Sequence, residues 1–181
     1  MTNRMDEPTL AQTSPTSGVP DFFVVMGIAG TGKTEIAQRL AQALGASFVE
    51  ADTFHNASNV ERMRNGIGLT DEDRWPWLNA VCDAALAERR PVVIACSVLK
   101  RRYRDLFRQR LGFLRILFLH GSIELIAERL QARKNHFASA SLLESQVQTL
   151  EAPATDENPI IIDIAGTPEA IVARVRTELG V

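Results

Sequence analysis

The sequence predicts an α/β protein in three layers, a parallel sheet with helices on both faces. Two observations carry that prediction. Short apolar runs alternate with helix-period segments about five times, with no repeat and no internal linker. The first run, Phe22-Phe23-Val24-Val25-Met26, passes through the turn Gly27-Ile28-Ala29-Gly30-Thr31-Gly32-Lys33-Thr34 directly into a helical stretch, Glu35 to Leu44. In such sheets ligands sit beyond the carboxyl ends of the strands.

The whole chain sets the bounds. Its 181 residues suit one domain with a real core, and its 45% hydrophobic and 23% charged content is that of an ordinary globule. A net charge of −2 gives no broad surface for nucleic acid or membrane. No apolar run approaches the ~20 residues needed to cross a bilayer. Residues 1–20 lack an apolar targeting core and carry Asp6 and Glu7, so they read as a tail rich in Thr, Ser and Pro, leaving 21–181 as the domain. Cys82 and Cys96 are too few for a disulfide framework and read as small buried residues in a reducing compartment, which places the protein in the cytoplasm.

The elements follow in order. After the first helix, Ala46 to Ala51 reads as a second strand ending at Asp52, then the turn formers His55-Asn56-Ala57-Ser58-Asn59 lead to a short helix from Val60 to Arg64. Thr70 or Asp71 caps a helix whose first turn is acidic and whose Trp77, Leu78, Val81, Ala84, Ala85 and Leu86 recur at helical spacing. Pro76 is tolerable there because it lies near the start. Pro91 to Ala95 is a third strand, apolar at successive positions as a doubly covered strand requires. A basic helix runs on from Lys100. Phe113 to Leu119 is a fourth strand, and Ser122 caps a helix through Leu130. A polar, basic interruption over 131–141 reads as a small lid. Leu142 to Leu150 resumes helical spacing, Glu151 to Pro159 is a loop, Ile160 to Ile164 a fifth strand, and Pro168 to Leu179 a closing helix with proline in its first turn.

The turn from Gly27 to Thr34 matches G-x-x-x-x-G-K-[ST], in the strand–turn–helix context that a phosphate-binding P-loop requires. Glycines let the backbone wrap an oxyanion with inward N–H groups, and the helix N-terminus adds partial positive charge. Gly27, Ile28, Ala29, Gly30, Thr31, Gly32, Lys33 and Thr34 are therefore the expected ATP cradle, with Lys33 reaching the β- and γ-phosphates and Thr34 ligating Mg²⁺. Asp52 closes the neighbouring strand, where a carboxylate can orient or deprotonate an attacking hydroxyl or help hold Mg²⁺. His55 adds a second polar group to the same loop. Arg74, a planar fork, and Lys100, a point charge, suit a substrate carboxylate; solvation or pairing with the nearby acids is an equal alternative for both. The third strand ends Ala95-Cys96-Ser97 without the acid of a motor ATPase or GTPase, which favours a small-molecule kinase. Arg129 and Arg133 share a helix face at i, i+4, and with His136 they read as a basic flap over the transferring phosphoryl. His120 reads as structural.

The sequence resembles the gluconokinase family of P-loop kinases, relatives of shikimate and nucleoside-monophosphate kinases, from Phe22 to the C-terminus. Besides the P-loop, the resemblance rests on Asp52-Thr53-Phe54-His55, Asn59-Val60-Glu61-Arg62-Met63, Leu69-Thr70-Asp71-Glu72-Asp73-Arg74-Trp75-Pro76-Trp77-Leu78, Ala95-Cys96-Ser97-Val98-Leu99-Lys100-Arg101-Arg102-Tyr103-Arg104-Asp105, His136-Phe137 and Leu142-Leu143-Glu144-Ser145-Gln146. It departs from the family pattern at Ala51, Asn56, Gly68, Glu72, Val98 and Val147. What the resemblance implies is phosphorylation of the 6-hydroxyl of D-gluconate by ATP, with Asp52 acting on that hydroxyl. It further implies Arg62, Arg74 and Lys100 on the carboxylate and polyol, Arg129 and Arg133 in the lid, and a homodimer. The alternatives are a kinase of another small acid or polyol such as shikimate, or a non-enzymatic nucleotide switch.

Overall fold

The structure is a computed structural model that describes residues 20–132 and 140–181. Most of the tail expected over 1–20 and of the lid expected over 131–141 therefore lies outside the described residues. Five strands pair in parallel: β1 (Phe22–Met26), β2 (Ser47–Glu50), β3 (Val92–Ala95), β4 (Leu114–His120) and β5 (Ile160–Asp163), in the spatial order β2-β3-β1-β4-β5. The helices are α1 (Lys33–Leu44), α2 (Ala57–Arg64), α3 (Asp71–Ala87), α4 (Arg101–Leu111), α5 (Ile123–Ala132), α6 (Ala140–Thr149) and α7 (Pro168–Leu179).

Strand periodicity sorts the core into two layers. On one face Phe22, Val24 and Met26 of β1, with Ile94 and Ile116, pack beneath Trp77, Leu78 and Val81 of α3 and Phe107 of α4. On the other, Phe23, Val25, Val93 and Leu117 pack against Ile36 and Leu40 of α1, Ile126 of α5 and Val175 of α7. Every residue of β1 and of β3 is buried, as expected of strands covered on both sides. Each such large side chain contributes roughly 1.5–3 kcal/mol on leaving water. The result is a rigid floor with the turns after β1, β2 and β3 at one edge.

Side-chain caps account for most departures from the expected boundaries. The second strand stops at Glu50, because Glu50 accepts the Asp52 N–H and the Thr53 hydroxyl donates to the Glu50 carbonyl at 2.7 Å, curling Ala51–Phe54 into a 3-10 turn. Asp52 thus sits on that turn rather than at a strand end. Asn56 caps α2 by accepting the Asn59 N–H at 2.8 Å, which starts the helix three residues before Val60. Thr70 caps α3 in a reciprocal capping box with Asp73, and Ser122 accepts the Leu125 N–H ahead of α5. Pro76 lies inside α3, which nevertheless continues to Ala87. Both cysteines are buried, as expected.

Candidate active site

The phosphate loop joins β1 to α1. Its glycines are required by space as well as by dihedral angle. Gly27 (φ +151°) and Gly30 (φ +87°) occupy backbone regions that L side chains rarely adopt. A Cβ on Gly27 would lie 2.7 Å from the Leu119 carbonyl oxygen, and one on Gly30 would lie 2.8 Å from Leu130 Cγ. The loop is therefore pressed onto β4 and α5. Buried Thr31 pins it by donating its hydroxyl to the Ile28 carbonyl at 2.8 Å, and Lys33 Nζ bonds the same carbonyl at 3.2 Å. Gly32 caps α1 without any side-chain bond, so the first N–H groups of the helix point into the loop with no side-chain acceptor at the cap. Thr34 is exposed at the first turn.

One contact here was not anticipated. Gln146 of α6 accepts the Ala29 N–H at 2.6 Å, tying α6 to the phosphate loop. The sequence signal was its place in the block Leu142 to Gln146, which gave no role to that side chain.

The residues expected to meet the acceptor lie on the turn after β2, the start of α3 and the turn after β3. The buried Cys96 thiol, pushed up by desolvation, lies within electrostatic reach of both Asp52 and Lys33, which brings those two groups to one edge of the sheet. Asp52 itself is exposed. His55 stacks on Trp77 with ring centroids 4.1 Å apart, and Trp77 is fixed by donating its indole N–H to the Ala51 carbonyl at 2.7 Å. Burial lowers the His55 pKa from its ordinary value, with Asp52 opposing and Arg74 adding to the shift, so the imidazole is neutral at pH 7. Its Nδ1 is buried with no hydrogen-bond partner among the described residues.

Arg74 donates to the Leu69 carbonyl at 2.5 Å and to the Tyr103 hydroxyl at 3.4 Å, with its guanidinium 5.8 Å from the Tyr103 ring centre. Arg62 donates to the Gly68 carbonyl at 3.3 Å, and its Nε lies 3.6 Å from the Asp73 carboxylate. For Lys100 the pairing alternative is realised: Nζ lies 3.1 Å from Asp71. Arg102 and the Tyr103 hydroxyl engage the same carboxylate. The Tyr103 bond, with help from Lys100 and Arg102, holds the Asp71 carboxyl below its ordinary range, while burial and Asp71 push the Tyr103 hydroxyl up to about 12. The acidic first turn of α3 therefore splits its work. Asp73 caps the helix, and Asp71 organises three donors.

Arg129, expected in the flap, lies in the last turn of α5. Its guanidinium donates to the carbonyls of Ile164 (2.9 Å) and Gly166 (3.4 Å), tying α5 to the turn after β5. Ile126 and Leu130 are the residues of α5 that meet Gly30 of the phosphate loop. Arg133 and His136 lie outside the described residues. Exposed His120 donates nothing to this arrangement beyond a ring contact with Phe118 at 6.0 Å.

A phosphate loop at the carboxyl edge of a five-stranded parallel sheet defines the class: a P-loop nucleotide-binding protein of the small-kinase type. Residues 22–153 match the family model of the AAA domain. The chain is 40% identical over 156 residues to the thermoresistant gluconokinase of Escherichia coli (strain K12), covering 84% of this chain and 89% of that one. It is 45% identical over 159 residues to the gluconokinase of Gluconobacter oxydans (strain 621H), covering 84% and 88% respectively. A crystal structure of a gluconokinase from Sinorhizobium meliloti 1021 superposes with a TM-score of 0.82 at 42% identity, covering 90% of this chain and 93% of that one. The chain belongs to the gluconokinase family.

Proposed function

We propose that this protein transfers the γ-phosphoryl group of ATP to the 6-hydroxyl of D-gluconate, giving 6-phospho-D-gluconate and ADP. The observation that carries the reading is the juxtaposition at one sheet edge. Lys33 and Asp52 both lie within electrostatic reach of Cys96, Asp52 and Arg74 within reach of His55, and Tyr103 joins Arg74 to the Asp71–Lys100 pair. A phosphate-binding loop thus faces a set of groups suited to an open-chain sugar acid.

In this reading the N–H groups of the phosphate loop and the Lys33 ammonium take the phosphates, and Asp52 accepts the proton of the attacking hydroxyl. Neutral His55 offers its unpartnered Nδ1 to a hydroxyl of the chain, and Arg62, Arg74 and Lys100 receive the carboxylate end. Thr34 and Asp52 would supply oxygens to Mg²⁺, which suits an ion that keeps its remaining positions for phosphates and water. Mg²⁺ would neutralise charge developing between the phosphates. Arg129, Arg133 and His136 are the proposed contributors from the lid. Domain limits of 21–181, a homodimer and a cytoplasmic location belong to the same proposal, and among the described residues no helix is long and apolar enough to cross a membrane.

ADP release measured against gluconate, shikimate and nucleoside monophosphates tests the reading. Gluconate at millimolar levels is expected to stimulate turnover most. Stimulation by shikimate alone would move the acceptor, and nucleotide binding with no stimulation by any of them would leave a switch.

A further inference from the structure

A buried ion pair joins the two sides of the site. Arg104 of α4 and the Glu157 side chain are each 1% exposed. Arg104 Nε and Nη2 donate to the two carboxylate oxygens of Glu157 at 2.7 and 2.8 Å, while Nη1 donates to the carbonyls of Val98 and Leu99 at 3.1 and 3.2 Å. Arg108 and the Ala154 N–H complete the carboxylate at 2.9 and 3.0 Å. Beside it the Glu151 N–H donates to the Leu99 carbonyl at 2.9 Å, and the Glu151 carboxylate accepts the Arg101 N–H at 2.6 Å.

These bonds fasten the segment after α6 to the turn before α4. The first segment continues from the helix whose Gln146 holds the phosphate loop. The second carries Lys100, paired with Asp71. Between them Val98 stands at φ +33°, a left-handed conformation that a β-branched residue adopts only where its surroundings impose it. Stability alone does not account for a charge pair at this point, because well-packed apolar residues often replace such pairs without loss. What apolar residues cannot do is hold a carboxylate and two carbonyls from three directions, which suits the planar guanidinium fork.

We infer that Arg104 and Glu157 are positioning residues for the acceptor, holding the Val98–Lys100 turn in register with α6 and so setting how tightly the acid acceptor binds beside a loaded phosphate loop. The inference rests on the acceptor site proposed above. Arg104→Lys keeps the charge but cannot span all three acceptors, and Glu157→Gln keeps the shape without the charge. In each, KM for gluconate is expected to rise about tenfold, with KM for ATP within about twofold and kcat changed less. Arg101→Ala, which removes exposed pairings with Asp156 and Asp105 but keeps the Arg101 backbone N–H, is the control and leaves both KM values unchanged.

The double variant Arg104→Met/Glu157→Leu refills the site without leaving a lone buried charge, and its KM for gluconate is expected to rise as well. An unchanged gluconate KM in any folded variant, with only the melting temperature lowered, overturns the inference. So does loss of the fold in all three, since a purely structural role then suffices. Absence of gluconate turnover in the unaltered protein would instead overturn the proposed function, and KM would then be read on whichever acid the acceptor panel supports.

Discussion

Glu157 is ionised at a position where a carboxylate without partners would be very costly. Burial alone would raise its pKa, yet the hydrogen bonds from Arg104, Arg108 and the Ala154 N–H outweigh that and hold it at about 2 against an ordinary 4.5. The unfolded chain therefore binds the extra proton between those values. Stability contributed by this group is complete above about pH 4.5 and is lost as pH falls through about 2. Acid unfolding followed by circular dichroism should show Glu157→Gln less stable at pH 7 and less sensitive to acid across that window. Two other single residues carry the proposed chemistry. Lys33→Ala is expected to lower turnover about 10²–10³-fold by removing a donor to transferring charge. Asp52→Asn is expected to lower it about 10²–10⁴-fold by removing the proton acceptor. Both should melt within a few degrees of the parent protein, and near-normal turnover of Asp52→Asn would displace the acceptor from this turn. These residues were legible because each sits at a motif position or next to one. Tyr103 and Arg104 stand in the motif block from Ala95 to Asp105 but drew no role from it, and Glu157 stands in none, since partners 32 and 53 positions away in the chain define what these side chains do.

At the scale of elements, boundaries moved wherever a polar side chain competed with the regular pattern. Apolar spacing located every strand within a residue or two, yet Glu50 ended β2 early and Asn56 began α2 early, because hydrogen bonds to local N–H groups override hydrophobic period at element ends. The capping box of α3 has a further consequence. Thr70→Ala should cost about 1 kcal/mol by chemical denaturation, and because α3 carries Asp71 and Arg74 the same change should raise KM for the acid acceptor more than KM for ATP. Gly30→Ala tests the opposite wall. Its Cβ would strike Leu130 and Ile126, so the phosphate loop and α5 must part, and nucleotide affinity measured by calorimetry should fall together with the melting temperature. Arg129 donates to the turn after β5, a neighbour that its spacing from Arg133 does not name. An i, i+4 relation places two side chains on one face, but it does not say which neighbour that face meets.

For the molecule as a whole, alternation of strand and helix gave the layers, and the phosphate motif marked the working edge. The order β2-β3-β1-β4-β5 required contacts that no single segment encodes. If the domain is 21–181, a chain beginning at residue 20 should keep the parent's turnover and thermal stability, which a coupled assay and a melting curve would check. Nucleotide at 100 times its Kd should stabilise the native state by about 2.7 kcal/mol, read as a rise in melting temperature. Both tryptophans of the chain belong to α3, Trp77 against the His55 ring and Trp75 edge-on to Tyr103 at 5.4 Å. Tryptophan emission therefore originates wholly beside His55 and Tyr103, the groups proposed to meet the sugar acid. The protein carries a built-in optical probe at that place, and gluconate added alone should change its intensity or wavelength.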